Sequence, residues 1–313
     1  MSILKSNLLL LLAATIWGLA FVAQRVGMEY VGPFTFNGVR FALGSLSLIP
    51  LILYYQNRSP KDIQAKDDSK QVIIAGIIAG VVLFIAATLQ QIGLIYTTAG
   101  KAAFITCLYI VIVPILGILL KQYVSMSTWI GSLIAVVGLY LLCVKDGLYI
   151  SYGEVLELIG AFFWAIHILV IDHFSCRVPV LKLAFFQFIT CSILSLIAAL
   201  FMETIRVESI YQAAVPILYG GILSVGVAYT LQVVAQKSAQ PSHAAIILSM
   251  ETVFAAIGGW LILNEKLGPQ ELVGCIIMFA GMLLSQLQNL TRSKESVNVN
   301  DAIVDSDTNK LVP

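Results

Sequence analysis

GSLIAVVGLYLL at residues 131–142 and GCIIMFAGMLL at residues 274–284 are two versions of one segment, with Gly131 and Gly138 matching Gly274 and Gly281. The correspondence extends outward from them. GKAAFI (100–105) pairs with SHAAII (242–247), and Trp17 lies 147 residues before Trp164. At that same offset Arg40 meets Gln187. The spacing drifts by a few residues, which marks a diverged duplication and not a solenoid array.

What is duplicated is apolar. Hydrophobic residues make up 59% of the chain and charged residues 11%, against about 25% charge in a soluble domain. Runs of this kind, about 18 residues or longer, read as membrane helices. The 23 glycines suit helices that approach closely in lipid. Ten spans are expected, over residues 7–25, 33–55, 72–95, 100–120, 127–144, 153–173, 180–201, 213–235, 243–263 and 270–288. The first begins after Lys5 like a secretory leader. It contains Trp17, however, and ends in Gln24-Arg25 without a small-residue cleavage site, so it reads as a membrane helix.

Five spans per half is an odd number. The second half must therefore enter the membrane from the opposite face. The expected fold class is an all-α integral membrane protein with ten transmembrane helices as two inverted five-helix repeats, residues 1–145 and 152–290. A polar tail at 291–313 is expected to be disordered and cytoplasmic. Inverted repeats are characteristic of secondary transporters, with the substrate site near the midplane between the halves. With the N-terminus inside, twelve Lys and Arg residues fall on the cytoplasmic side and five outside, mostly through the 56–71 loop. Both termini are thus expected in the cytoplasm.

The five cysteines (Cys107, Cys143, Cys176, Cys191 and Cys275) show neither metal-ligand spacing nor a disulfide framework. No phosphate-binding loop, nucleophile elbow or zinc-ligand helix is apparent, and His167 and His173 are six apart, poor spacing for a metal on a helix. Neither a cofactor, a metal nor an enzymatic activity is expected. A receptor would need a large output domain, which the span pattern leaves no room for. A net charge of +1 gives no argument for a nucleic-acid partner, and none is expected. The partners expected are a small-molecule metabolite, the lipid bilayer, and protons as the candidate coupling ion.

Several stretches together resemble EamA-type transporters of the drug/metabolite transporter superfamily. They are AATIWGLAFV (13–22), PFTFNGVRFALG (33–44), LQQIGLIYTTAGKAAFIT (89–106) and METVFAAIGGWLILNEKLGPQELVGCIIMFAGMLL (250–284). The resemblance implies ten helices around a central cavity open to one face at a time. It also implies metabolite transport, often export of amino acids or related compounds across a bacterial inner membrane; a nucleotide-sugar carrier is the alternative within the superfamily. The chain departs from the pattern at Thr252, where relatives often have proline, and at Gln122, where an acid is expected. The second-half counterpart of Gln122, Glu265, keeps the acid.

Arg40 is the leading site candidate. It is a permanent cation about 10 Å along its span from Pro33, on one helical face with Asn37, Gly44 and Ser47. Three readings stand: a clamp for a substrate anion or a gate, a structural tie to a carbonyl or to Glu251, and snorkelling outward. Glu251 reads as the one acid deep in a span, a proton carrier or a fixed counter-ion. Its repeat counterpart is Tyr109. Trp17 and Trp164 are cavity walls or core. Gln90 and Gln91, placed at the end of the third span, and Gln187 are further candidates for substrate binding. His167 is a second candidate for proton coupling. Lys101 and His243, equivalent helix starts, are expected to be solvated.

Overall fold

The computed structural model describes residues 1, 3–58, 69–97, 99–122, 124–143, 151–262, 268–270, 272–274, 276–281 and 284. The tail at 291–313, Glu265, Lys145, Lys266 and most of the 56–71 loop, on which parts of the sequence reading rest, lie outside these.

The described residues contain helices and no strand. Among the described residues eight helices are long and apolar enough to cross a membrane: Ile3–Gly27, Pro33–Tyr55, Lys70–Tyr96, Ala102–Leu119, Tyr152–Ser175, Val180–Met202, Ala214–Gln236 and Pro241–Ile262. At about 1.5 Å per residue, even 20 residues suffice for a hydrocarbon core of about 30 Å. The side chains that face outward are themselves apolar; Leu8 is 57% exposed and Leu200 72%. Such a surface belongs in lipid, where each helix satisfies its own backbone. This is a multi-pass membrane protein. The expected fifth and tenth spans correspond to shorter apolar helices, Met126–Gly138 and Leu272–Gly281.

These two shorter helices carry the matched glycines Gly131, Gly138, Gly274 and Gly281, and they meet reciprocally. A Cβ on Gly138 would lie 2.6 Å from Met278 N and 2.7 Å from Gly274 O. One on Gly281 would lie 2.8 Å from Gly131 O and 2.9 Å from Ala135 N. Only glycine allows backbones to approach this closely. Gly80 does the same between the third and seventh spans, 2.7 Å from Gln187 O.

Spans four and nine are not continuous helices, contrary to expectation. The fourth is Ala99–Thr106 followed by Tyr109–Leu119, and the ninth is Pro241–Leu248 followed by Glu251–Ile262. At both joints the backbone tightens to bonds three residues back. Ile110 N bonds Cys107 O at 3.0 Å, and Thr252 N bonds Ser249 O at 3.1 Å. Tightening of this sort needs no proline at the joint, so Thr252 stands where a break occurs without one. Pro114, one turn further along, cannot bond Ile110 O; Ser132 Oγ reaches that carbonyl at 3.4 Å.

The Tyr219–Tyr229 stretch of the eighth span is wound as a π-helix, with bonds five residues back. It packs on the second span, where Gly221 lies against Arg40 O, 3.0 Å from a built Cβ.

The two sequence halves interleave. The most extensive packing pairs Pro33–Arg58 with Val180–Met202, Ser69–Tyr96 with both Tyr152–Ser175 and Val180–Met202, and Ile3–Gly27 with Glu251–Ile262. One polar contact fastens this arrangement at a helix start. The Glu203 carboxylate accepts from Phe34 N and Thr35 N, both at 2.8 Å, and from Thr35 Oγ1 at 2.6 Å. It caps the second span from the end of the seventh, where free N–H groups favour an anion. Gly32 leaves room for it. Glu203→Ala is expected to cost about 1–2 kcal/mol, as loss of a cap does, and to appear as a lower Tm in detergent.

Candidate functional site

A cavity lies among spans one, two, three, four, six, eight and nine, about 480 Å³ when the solvent space open to it is included. Arg40 lies on its wall, 2% exposed. The guanidinium stands over two rings, 5.0 Å from the Phe41 centroid and 5.4 Å from that of Phe36. Nε has no partner among the described residues. Arg40 thus points into the protein and not outward to the interface.

Glu251 is on the same wall, at the first residue after the break in span nine. Its counterpart Tyr109 is the first residue after the break in span four, and the two meet: Tyr109 Oη donates to Glu251 Oε1 at 3.0 Å. Cys107 Sγ is 3.5 Å from the same oxygen and 2.8 Å from Thr252 Oγ1. The bonds of Glu251 therefore go to the opposite broken helix and not to Arg40. That helix also supplies Ala103 O, 3.5 Å from Thr252 Oγ1.

Trp17 and Trp164 both line the cavity, with Tyr229 between them. The Trp17 ring is 4.6 Å from that of Tyr229, and Trp164 stacks with Tyr229 at 6.1 Å with planes 22° apart. Trp17 Nε1 donates to Ser224 O at 3.2 Å, a carbonyl of the π-helix. Trp164 Nε1, Gln24 Oε1 and Gln232 Oε1 are buried without partners among the described residues. Such groups are rare in a protein interior and call for an explanation.

The remaining candidates divide. Gln90 lines the cavity. Gln91 turns away and donates from Nε2 to Gln24 O at 3.4 Å; the helix continues past both to Tyr96, so neither ends it. Asn37 is fully buried and donates to Ala87 O at 3.1 Å, so it holds the second and third spans together. Gln187 and His167 lie behind the Trp164 wall, 3.0 Å apart. His243 is 3% exposed, not solvated as expected, because Pro241–Leu248 is buried along its whole length. The side chain of Lys101 lies outside the described ones.

Residues that the sequence reading passed over also belong here. Tyr229, Gln24, Gln232 and Ser224 line the cavity. Glu251 is not the one deep acid: Glu157 in the sixth span is fully buried, and Thr106 Oγ1 donates to its Oε2 at 3.0 Å. Glu157 follows Glu154 by one helical turn, and that pattern reads as a wetted helix start; the structure instead turns Glu154 back to cap Ser151 and buries Glu157.

A model of the EamA-like transporter family matches residues 4–144 and again 151–287. The chain belongs to the EamA-like transporter family. Among curated relatives of this EamA-like chain, an uncharacterized transporter of Archaeoglobus fulgidus is 32% identical over 286 residues, covering 91% of this chain and 87% of the relative. The uncharacterized transporter YoaV of Bacillus subtilis is 24% identical over 276 residues, covering 86% and 92%. A solved crystal structure of a protein superposes with a TM-score of 0.73 at 17% identity, over 90% of this chain and 96% of that one. That likeness concerns the fold alone.

Proposed function

We infer that this EamA-like protein is a secondary active transporter that moves a small amphipathic metabolite, an amino acid or a related compound, outward across a bacterial inner membrane. The carrying observation is the cavity in which a buried Arg40, its Nε without a partner among the described residues, and the Glu251–Tyr109 pair stand beside a Trp17–Tyr229–Trp164 wall. Arg40 suits a substrate carboxylate and the rings suit an apolar side chain. Glu251 suits a substrate ammonium or a coupling proton. Gln90, Gln24 and Gln232 add polar contacts. In this reading Asn37, Gln91, Gln187 and His167 act from behind, by fixing the helices and rings that touch the solute. Arg40 is the single cation among the described lining residues, and a carboxylate shares the wall, which disfavours the diphosphate of a nucleotide sugar.

Two inverted five-helix repeats, residues 1–145 and 152–290, with both termini cytoplasmic, would give ten crossings and alternating access. The two stretches matched by the family model, and the reciprocal contacts at Gly138 and Gly281, support the repeat. The test is counterflow in proteoliposomes with a panel of labelled amino acids and their decarboxylated amines. At least one amino acid should exchange while its amine does not. Equal exchange of acid and amine, or exchange of neither across the panel, would sink the reading.

A further inference from the structure

The joint in span four has a buried carboxylate on each side. Glu251 meets it through Tyr109 and Cys107. Glu157 meets it through Thr106, the last residue before the break and itself part of the cavity wall. We propose that Glu157 is a second proton-binding site of the transport cycle, loaded in the conformation described here and emptied when movement at the Cys107–Leu108 joint withdraws Thr106.

Glu157 is 0% exposed, and its Oε1 has no partner among the described residues. Those residues offer it no counter-charge. From the third span it faces Gly93, where a Cβ would stand 2.6 Å from Oε1 and 2.9 Å from Cγ. On that side Arg25 reaches across from the first span and donates from Nη1 to Leu94 O at 3.4 Å. From the fourth span Thr106 donates to it; the side chain of Lys101 is outside the described ones. On its own helix Glu154 is engaged with Ser151 N at 2.8 Å, and His167 lies almost three turns away. An ionised carboxylate so placed has one hydroxyl donor, on Oε2, and no counter-charge among the described residues to offset its burial. A metal cation would need about six oxygens, and the Thr106 hydroxyl is the one side-chain oxygen bonded to the carboxylate among the described residues. A proton needs only the lone pair of Oε1.

The balance is simple. In the loaded state the Oε1–H bond holds the proton and Thr106 supports the carbonyl-like Oε2. When Thr106 withdraws and the cavity wets the site, the Oε1–H bond breaks and water takes the proton. The carboxylate that remains is solvated. The absence of a Cβ at Gly93 gives the carboxyl its space, so the site is built into the packing of spans three and six.

The proposal extends the proton-coupled reading above, and its test uses no transported solute. Infrared difference spectra of the full-length protein in lipid would be recorded across a pH titration. The C=O stretch of a buried protonated carboxyl should be present in the wild type, persist in Glu251→Gln and disappear in Glu157→Gln. Thr106→Val, close to isosteric, should shift that band to higher frequency, because the carbonyl loses its donor. Should Glu157→Gln fail to fold, the Thr106→Val shift decides the matter. A carboxyl band set unchanged in Glu157→Gln overturns the proposal; so does an unshifted band in Thr106→Val, or a band that added sodium removes at constant pH. If the Glu157 band behaves as expected while no amino acid exchanges, the proton site stands and the substrate assignment falls.

Discussion

Arg40→Met is expected to abolish substrate exchange while leaving the protein at least as heat-stable as the wild type. A buried cation at the centre of a membrane helix costs about 2.5–3.5 kcal/mol on insertion scales. Arg40 recovers part of this from the faces of Phe36 and Phe41, but its Nε finds no partner among the described residues. Methionine fills similar space without the charge, so stability should hold or rise. Binding behaves oppositely. Truncating one side of a desolvated charge pair costs about 2–5 kcal/mol, which is a loss of roughly 30-fold or more at about 1.4 kcal/mol per decade. Thermal shift and counterflow on one preparation check both halves. Normal exchange would remove Arg40 from the substrate site; a large fall in Tm would make it a structural tie.

Glu251→Gln should separate coupling from exchange. The amide oxygen still accepts from Tyr109 Oη, so the joint between spans four and nine should survive. It carries no exchangeable acidic proton, and accumulation driven by an imposed proton gradient should therefore fall more than tenfold, about 1.4 kcal/mol or more in driving or barrier terms. Counterflow should be affected far less. Tyr109→Phe keeps the acid and loses one hydrogen bond to it, so gradient-driven uptake should remain, at a reduced rate. Full gradient-driven accumulation in Glu251→Gln would exclude Glu251 as the carrier and leave Glu157 as the acid to examine.

Much of this was legible in the sequence for reasons that can be stated. A membrane helix tolerates charge at few places, so Arg40 and Glu251 stood out within their apolar runs, and both lie on the cavity wall. The matched glycines at 131, 138, 274 and 281 signalled close contact because nothing larger fits where they meet. Other features leave little trace in composition. The joints at Cys107–Leu108 and Ser249–Met250 involve a change of hydrogen-bond spacing within runs that keep the hydropathy of a membrane span, without a proline at the joint. The π-helix at Tyr219–Tyr229 packs on the second span, and its sequence YGGILSVGVAY carries no local signal of the wider winding. Tyr229 resembles any tyrosine in a hydrophobic segment until two tryptophans are found against its ring. Glu157 was disguised by its neighbour Glu154, since two acids one turn apart at a helix start read as a solvated edge. Pairwise side-chain partners such as Glu203 with Thr35 depend on long-range geometry that no local pattern encodes.

The interleaving of the halves also bears on how the protein is made. The first span packs most closely on Glu251–Ile262, the second on Val180–Met202, and the third on Tyr152–Ser175 and Val180–Met202. None of these partners exists when the first three spans leave the ribosome. The early helices must therefore wait in the bilayer as separate, singly stable rods until the distal part of the chain is inserted. Arg40 waits with them, beside a Phe41 ring that still lacks Phe188 and Tyr229. Assembly is a late event, and Glu203 reaching Phe34 and Thr35 is among the contacts that only a chain well past its midpoint can form. A chain terminated before residue 180 could pack its third span on Tyr152–Ser175, yet its first and second spans would still lack the helices they pack on most closely.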